Sequence, residues 1–241
     1  MREGWESQAG SWAQFARRQG HDWAHEDINL PALLALLPPP GGAALDLGCG
    51  EGRLSRDLHA RGYTVTGVDA APTMVRLAAT HQDHQPVAVA DAAALPFRSA
   101  SFDLVVAYMS LHDIDAMPET VGEVARVLRP RGHLCAAIPH PVNSAGEFTS
   151  RDAGAPFVIA GSYLASGPAD WSTDRDGVRL TFHSEHRPIE AYSRALEASG
   201  LLIEAIREVG APPAAPADAD PALVRFRRIP LFLHFRAVKR G

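Results

Sequence analysis

Three carboxylates beside a glycine loop carry the first chemical signal in this chain. Leu45-Asp46-Leu47-Gly48-Cys49-Gly50-Glu51-Gly52 is a short apolar run ending in three glycines spaced by two, and a helical pattern, Arg53 to Arg61, follows at once. Glycine tolerates positive φ, so such a loop lets a ligand lie against bare backbone. The helix behind it offers unpaired amides. Asp69 closes the next strand-like run, Tyr63 to Asp69, and Asp91 follows a third, Pro86 to Ala90. An acid at the end of a second strand can accept hydrogen bonds from both hydroxyls of a ribose. One after a third strand can accept from the amino group of adenine. The spacing is not that of the dinucleotide fingerprint G-x-G-x-x-G, whose third glycine would fall on Arg53.

Proton handling points to histidine, which titrates near neutral pH. The chain has 11 histidines. His112 lies in Ser110-Leu111-His112-Asp113, directly after an apolar strand-like run, and is the first candidate base. His183 and His186 lie in Thr181 to Pro188; if that segment is extended, His183 and Glu185 share one face and His186 lies on the other. Tyr163, in a glycine-rich stretch, is a further candidate donor. Each of these residues also reads as a surface or capping residue. The two cysteines, Cys49 and Cys135, show no metal-ligand spacing, so no metal is expected.

The elements that must position these groups alternate. Strands are expected at 43–47, 64–69, 87–90, 102–108 and 133–138, with helices at 52–61, 72–80 and 118–128 between them. This alternation implies a doubly wound, mostly parallel sheet, and ligands of such sheets bind beyond the carboxyl ends of the strands. Asp46, Asp69, Asp91 and Tyr108 all fall at such ends. Residues 1–40 hold three of the four tryptophans and read as an N-terminal helical cap. The cofactor-binding core is expected over 41–138. Residues 139–180 break the rhythm with five glycines, four prolines and interspersed aromatics, which suits a lid over a site. The C-terminal part of the sheet is expected over 181–241, with 178–186 strand-like, a helix at 188–199, strands at 201–208 and 229–238, and a linker at 211–221.

The ordered motifs LDLGCGEG, VDAAPTMV, ADAAALPF with FDLVVAYMSLHD, and VLRPRGHLCAAIP resemble the class I S-adenosylmethionine-dependent methyltransferases, in particular their small-molecule branch. The resemblance runs from about Leu45 to Pro139. It implies a Rossmann-like seven-stranded α/β fold with a lid inserted after strand five and a last strand lying antiparallel between the two before it. It implies S-adenosyl-L-methionine as cofactor, held by Asp46, Gly48, Cys49, Gly50, Asp69, Ala70, Met74, Asp91, Ala92 and Tyr108, with His112 bordering the methyl group. The expected activity is methyl transfer to N, O or C of a small aromatic or apolar metabolite, in biosynthesis. The competing expectation is a protein of this fold that binds the cofactor structurally and catalyses another reaction or regulates a partner.

Composition narrows the partners. The formal net charge is −5, whereas a dedicated nucleic-acid binder usually carries a basic patch. No apolar run approaches the roughly 18 residues of a membrane helix, and the N-terminal segment lacks a signal-peptide core. A cytoplasmic monomer or homodimer acting on a small molecule, away from nucleic acid and membrane, is expected.

Overall fold

The alternation of short apolar runs with amphipathic stretches builds one seven-stranded sheet. In a computed structural model the described residues are 2–18, 22–175, 178–212 and 221–241, without the side chains of 173–175, 178, 221 and 222. His21, Gly177 and most of the expected linker at 211–221 lie outside them. The strands of the sheet are β1 (Ala43–Leu47), β2 (Thr64–Asp69), β3 (Val87–Val89), β4 (Phe102–Tyr108), β5 (Leu128–Pro139), β6 (Leu201–Val209) and β7 (Phe232–Lys239). Their order is β6-β7-β5-β4-β1-β2-β3. β1 to β5 run parallel, and β7 pairs antiparallel with both β5 and β6. This is the Rossmann-like arrangement that the motifs implied.

Helices cover both faces because each carries an apolar stripe at helical spacing. On one face α3 (Arg53–Ala60) buries Leu54 and Leu58 with Leu33 of α2 (Leu30–Leu34). On the other, α5 (Met117–Val127) and α7 (Ile189–Ala198) bury Val121, Val124, Tyr192 and Leu196. α4 (Pro72–Ala79) follows β2. β5 starts earlier than its apolar run, directly where α5 ends. Leu128 pairs with Phe102 and pairing resumes at His133 opposite Leu104, so 129–132 bulge out of the ladder. Arg131 takes a φ of 66° there.

The N-terminal cap is α1 (Arg2–Ala16) followed by a π-helical turn, Ala24–Asn29. α1 lies on α4: the Glu6 carboxylate accepts from Thr73 N at 2.9 Å and Thr73 Oγ1 at 2.6 Å. Between β5 and α7 the chain forms α6 (Pro141–Ala145) and small antiparallel pairs rather than an irregular loop. Glu147–Phe148 pairs with Phe157–Val158, Gly167–Pro168 with Glu185–His186, and Trp171–Arg175 with Val178–Phe182. The insertion therefore extends to His186, past the boundary at 180 expected from composition. Residues 178–186 pair within it and not with the central sheet. It leans on the cap, since Gln8 bonds both the N–H and the C=O of Thr181 at 2.6 Å. Trp5 and Trp12 meet Phe182 edge-on, and Trp171 stacks on Phe182 at 4.1 Å.

Candidate active site

A crevice of about 1560 Å³ opens at the carboxyl ends of β1 to β5, roofed by the cap and the insertion. All ten expected cofactor residues, Asp46, Gly48, Cys49, Gly50, Asp69, Ala70, Met74, Asp91, Ala92 and Tyr108, line it. The loop after β1 folds back on β2, with Gly48 N and Cys49 N both donating to Val68 O at 2.8 and 2.9 Å. Gly48, Gly50 and Gly52 take φ of 73°, 54° and 84°. A Cβ on Gly48 would stand 2.5 Å from Ser110 Cβ. The glycines thus satisfy a backbone geometry and a close approach at once.

Asp69 fits a ribose diol. Its Oδ2 accepts from Gly50 N and its Oδ1 from Ala71 N, both at 2.8 Å. Each oxygen keeps a second lone pair, and the carboxylate borders the crevice. Burial pushes its pKa above the usual carboxylate range. Asp46 sits deeper and accepts from Ser55 Oγ at 2.6 Å; burial raises it to about 7. Its role is to hold the loop against α3. Asp91 lies exposed at the rim, with Oδ1 accepting from Ala93 N at 2.9 Å. The residues present therefore fit S-adenosylmethionine: amides and glycines for its amino-acid end, Asp69 for the ribose and Asp91 near the base.

Several residues outside the expected set join the site. Tyr108 Oη lies 2.8 Å from Nδ1 of His25 in the cap, and burial holds His25 at about 3, hence neutral. Arg53 of α3 reaches Asp22 at 3.3 Å and Glu26 at 3.1 Å, and so binds the π-helical turn to the cofactor loop. Glu51 is buried between Arg17 at 3.0 Å and Arg56 at 2.8 Å. Arg17, directly after α1, thus fastens the cap to the loop. The β4 strand ends in strain: Met109 takes a φ of 53° and lines the crevice. Such outliers persist only where the surroundings hold them, often at functional sites.

The four candidate catalytic residues part company. His112 lines the crevice, on a 3₁₀ turn over Leu111–Asp113. Its Nε2 is 3.3 Å from Asp113 Oδ1, and its buried Nδ1 has no partner among the described residues. Asp113 also accepts from Ser184 Oγ at 2.7 Å. Burial drives both members of the pair to their neutral forms, His112 down to about 3 and Asp113 up to about 7. Arg187, bonded to the carbonyls of His112 and Ile114, adds to the effect on His112. His183, His186 and Tyr163 stand away from the crevice wall. His183 packs on Gly4 and contacts Asp170 at 3.3 Å. His186 has both nitrogens engaged, by Ser144 Oγ at 2.8 Å and Tyr163 O at 2.9 Å, while Tyr163 Oη accepts from Ile189 N. These three fasten the insertion to itself and to α7. Asp113 was legible only as the neighbour of His112, and no sequence pattern marks His25.

Comparison with known proteins agrees with this geometry. A family model described as a methyltransferase domain matches residues 45–136. The chain is 36% identical over 126 residues to the malonyl-[acyl-carrier protein] O-methyltransferase of Enterobacter lignolyticus, covering 51% of this chain and 50% of that protein. It is 30% identical over 173 residues to a ubiquinone biosynthesis O-methyltransferase of Methylobacterium sp., covering 69% and 62%. The chain thus spans about half the length of the curated relatives it matches. A solved S-adenosylmethionine-dependent methyltransferase from Mesorhizobium loti superposes with a TM-score of 0.72 at 30% identity, over 87% of this chain and 96% of that one. The chain belongs to the class I S-adenosylmethionine-dependent methyltransferases, and S-adenosylmethionine is the cofactor of that family. No helix among the described residues is long and apolar enough to cross a membrane, and they hold no cluster of metal-ligating side chains.

Proposed function

We propose that this protein transfers a methyl group to an oxygen of a small aromatic or apolar metabolite in a biosynthetic role. The observation that carries the reading is the convergence, in one crevice, of the glycine loop and Asp69 with the His112–Asp113 pair and an aromatic insertion. Relatives named as O-methyltransferases support oxygen as the acceptor atom. When bound, the cofactor supplies an already activated methyl on a sulfonium. The work left to the chain is alignment and exclusion of water. The glycine loop and Asp69 hold the cofactor end; Trp171, Phe182, Leu180, Leu231 and Phe232 provide apolar surface for the acceptor. His112 borders the crevice and is held neutral, so its imidazole can take up the proton of the hydroxyl nucleophile. Asp113, once ionised above about pH 7, steadies the proton that arrives on the imidazole, in the manner of a base with its orienter.

The test is calorimetric titration with S-adenosylhomocysteine, then transfer of labelled methyl from S-adenosylmethionine to a panel of phenols, hydroxy acids and amines. Binding with transfer to hydroxyl compounds is expected, and NADH should not compete. Binding without transfer to any compound would favour a structural cofactor and a different reaction. Lack of binding would overturn both readings.

A further inference from the structure

The arginines that line the crevice differ in what answers their charge. Arg53 meets Asp22 and Glu26, and Arg187 meets Glu185. Arg225 is half-buried, lines the same crevice, and has no carboxylate within ion-pair distance among the described residues. Its guanidinium lies 4.7 Å from the centre of the Phe148 ring and 5.2 Å from that of Phe226, two rings perpendicular to each other. One Nη1 hydrogen goes to Ser150 O at 2.6 Å. The Nε is buried without a partner, and Nη2 makes no hydrogen bond among the described residues. Removing a cation from water without an anion is costly. Stacking and the Ser150 carbonyl fix the plane of this guanidinium and leave its outer edge for a ligand.

The position gives the edge a use. Arg225 shortly precedes β7, whose first residue, Phe232, pairs with Pro139 at the carboxyl end of β5. Asp46, Asp69 and Asp91 lie at or just after the ends of β1, β2 and β3, on the far side of β4 in the sheet order. The cofactor carboxylates thus lie at one end of the crevice and Arg225 toward the other, beside the 147–158 hairpin, whose Glu147 and Arg151 also line it. We propose that Arg225 anchors a carboxylate of the methyl acceptor, so that the acceptors are small aromatic hydroxy acids whose hydroxyl points away from Arg225 toward His112. The inference rests on the methyl-transfer reading and narrows its substrate class. A guanidinium edge matches a carboxylate with two parallel N–H···O bonds, which a neutral amide of the same shape cannot accept as a pair.

Matched acids and amides test it: para-hydroxybenzoate against para-hydroxybenzamide, and para-coumarate against para-coumaramide. Each is titrated into protein saturated with S-adenosylhomocysteine. The acids should bind about tenfold to a hundredfold more tightly than their amides. Arg225→Met should erase that preference and leave S-adenosylhomocysteine affinity unchanged. Arg225→Lys, which keeps the charge and loses the fork, should retain part of it, and it decides the matter if the methionine variant does not fold. Arg228→Met is the control for the fold. Arg228 sits 5.9 Å over the same Phe148 ring and bonds the Ala153 and Ala155 carbonyls but does not line the crevice, so its loss should keep the preference. Acids binding no tighter than amides, no acid binding at millimolar concentration, or a preference that survives Arg225→Met or vanishes in Arg228→Met would overturn the proposal. With S-adenosylhomocysteine binding intact and amides methylated as fast as acids, the proposal fails while methyl transfer stands. Without S-adenosylhomocysteine binding, the methyl-transfer reading itself fails.

Discussion

Replacing Gly48 by alanine probes the cofactor end through two separable costs. The φ of 73° at Gly48 places an L-residue in the left-handed region, at roughly 1–2 kcal/mol. The new Cβ would stand 2.5 Å from Ser110 Cβ and 3.0 Å from Ser110 Oγ. Ser110 must move, and with it goes the 2.5 Å bond from its hydroxyl to Leu47 O. Forced repacking of this kind costs about 1–3 kcal/mol. Gly48→Ala should therefore lower folding stability by about 2–5 kcal/mol. Adding Ser110→Gly removes the colliding atoms but not the φ, so the double variant should regain about 1–3 kcal/mol of that loss. Urea denaturation of the three proteins reads the stabilities. Calorimetry with S-adenosylhomocysteine reads the site, where the single variant should bind at least roughly tenfold more weakly. A single variant as stable as the parent, or a double variant no more stable than the single, would refute the collision. Unchanged affinity would refute the loop as the cofactor's seat.

Asp69→Asn keeps an acceptor for one of the Gly50 and Ala71 amides and removes the charge; S-adenosylhomocysteine affinity should fall by about 1.5–3 kcal/mol in the same titration, and no change would exclude a ribose contact. The methylation rate should rise as pH climbs through about 7, where Asp113 ionises, and Asp113→Asn should flatten that limb; a limb that persists in the variant belongs to another group. His112→Ala should lower kcat roughly 10²-fold with cofactor affinity unchanged, whereas a drop below about tenfold leaves His112 a positioning role. His234 is fully buried, 2.6 Å from Asn29 Oδ1, and held neutral at about 4 by burial. Its contribution to stability is complete above the unfolded histidine value of about 6.5 and is lost as pH falls toward 4. His234→Gln should shrink the loss of stability between those limits by up to about 3 kcal/mol, and equal losses in both proteins would show that His234 titrates normally.

The legible parts were those in which local pattern and local geometry coincide. β1, β2 and β4 match their expected bounds to the residue: β1 and β4 are largely apolar, as buried parallel strands are, and β2 is set off by its buried Val65 and Val68 and its terminal Asp69. The glycine loop was legible because left-handed φ and close approach select one residue type. The insertion was not, because its short pairs are fixed by distant partners: Gln8 bonds Thr181, and Ser144 and Tyr163 hold His186. Residue type alone cannot tell a histidine that borders a crevice from one that fastens two loops. His112 and His186 are equally buried and differ in whether they line the crevice and whether both nitrogens find partners. His25 escaped notice because its turn is π-helical, a rare geometry that no apolar periodicity announces. Arg225 is one of six basic residues between 225 and 240, and only the two phenylalanine rings and the crevice single it out.

The insertion of β7 between β5 and β6 also bears on how the chain matures on the ribosome. Among the described residues β6 has no sheet neighbour other than β7, so Leu201–Val209 waits without that partner until Phe232–Lys239 has been synthesised. The parallel half around β1, β2 and β4 needs no residue beyond β4 to complete its own pairing. Non-local pairings form late, and unpaired strand edges invite association while they wait. A nascent chain arrested before Phe232 should therefore present an assembled glycine loop and an incomplete acceptor wall, with Leu202, Ile203 and Ile206, exposed even in the finished fold, open to chaperones.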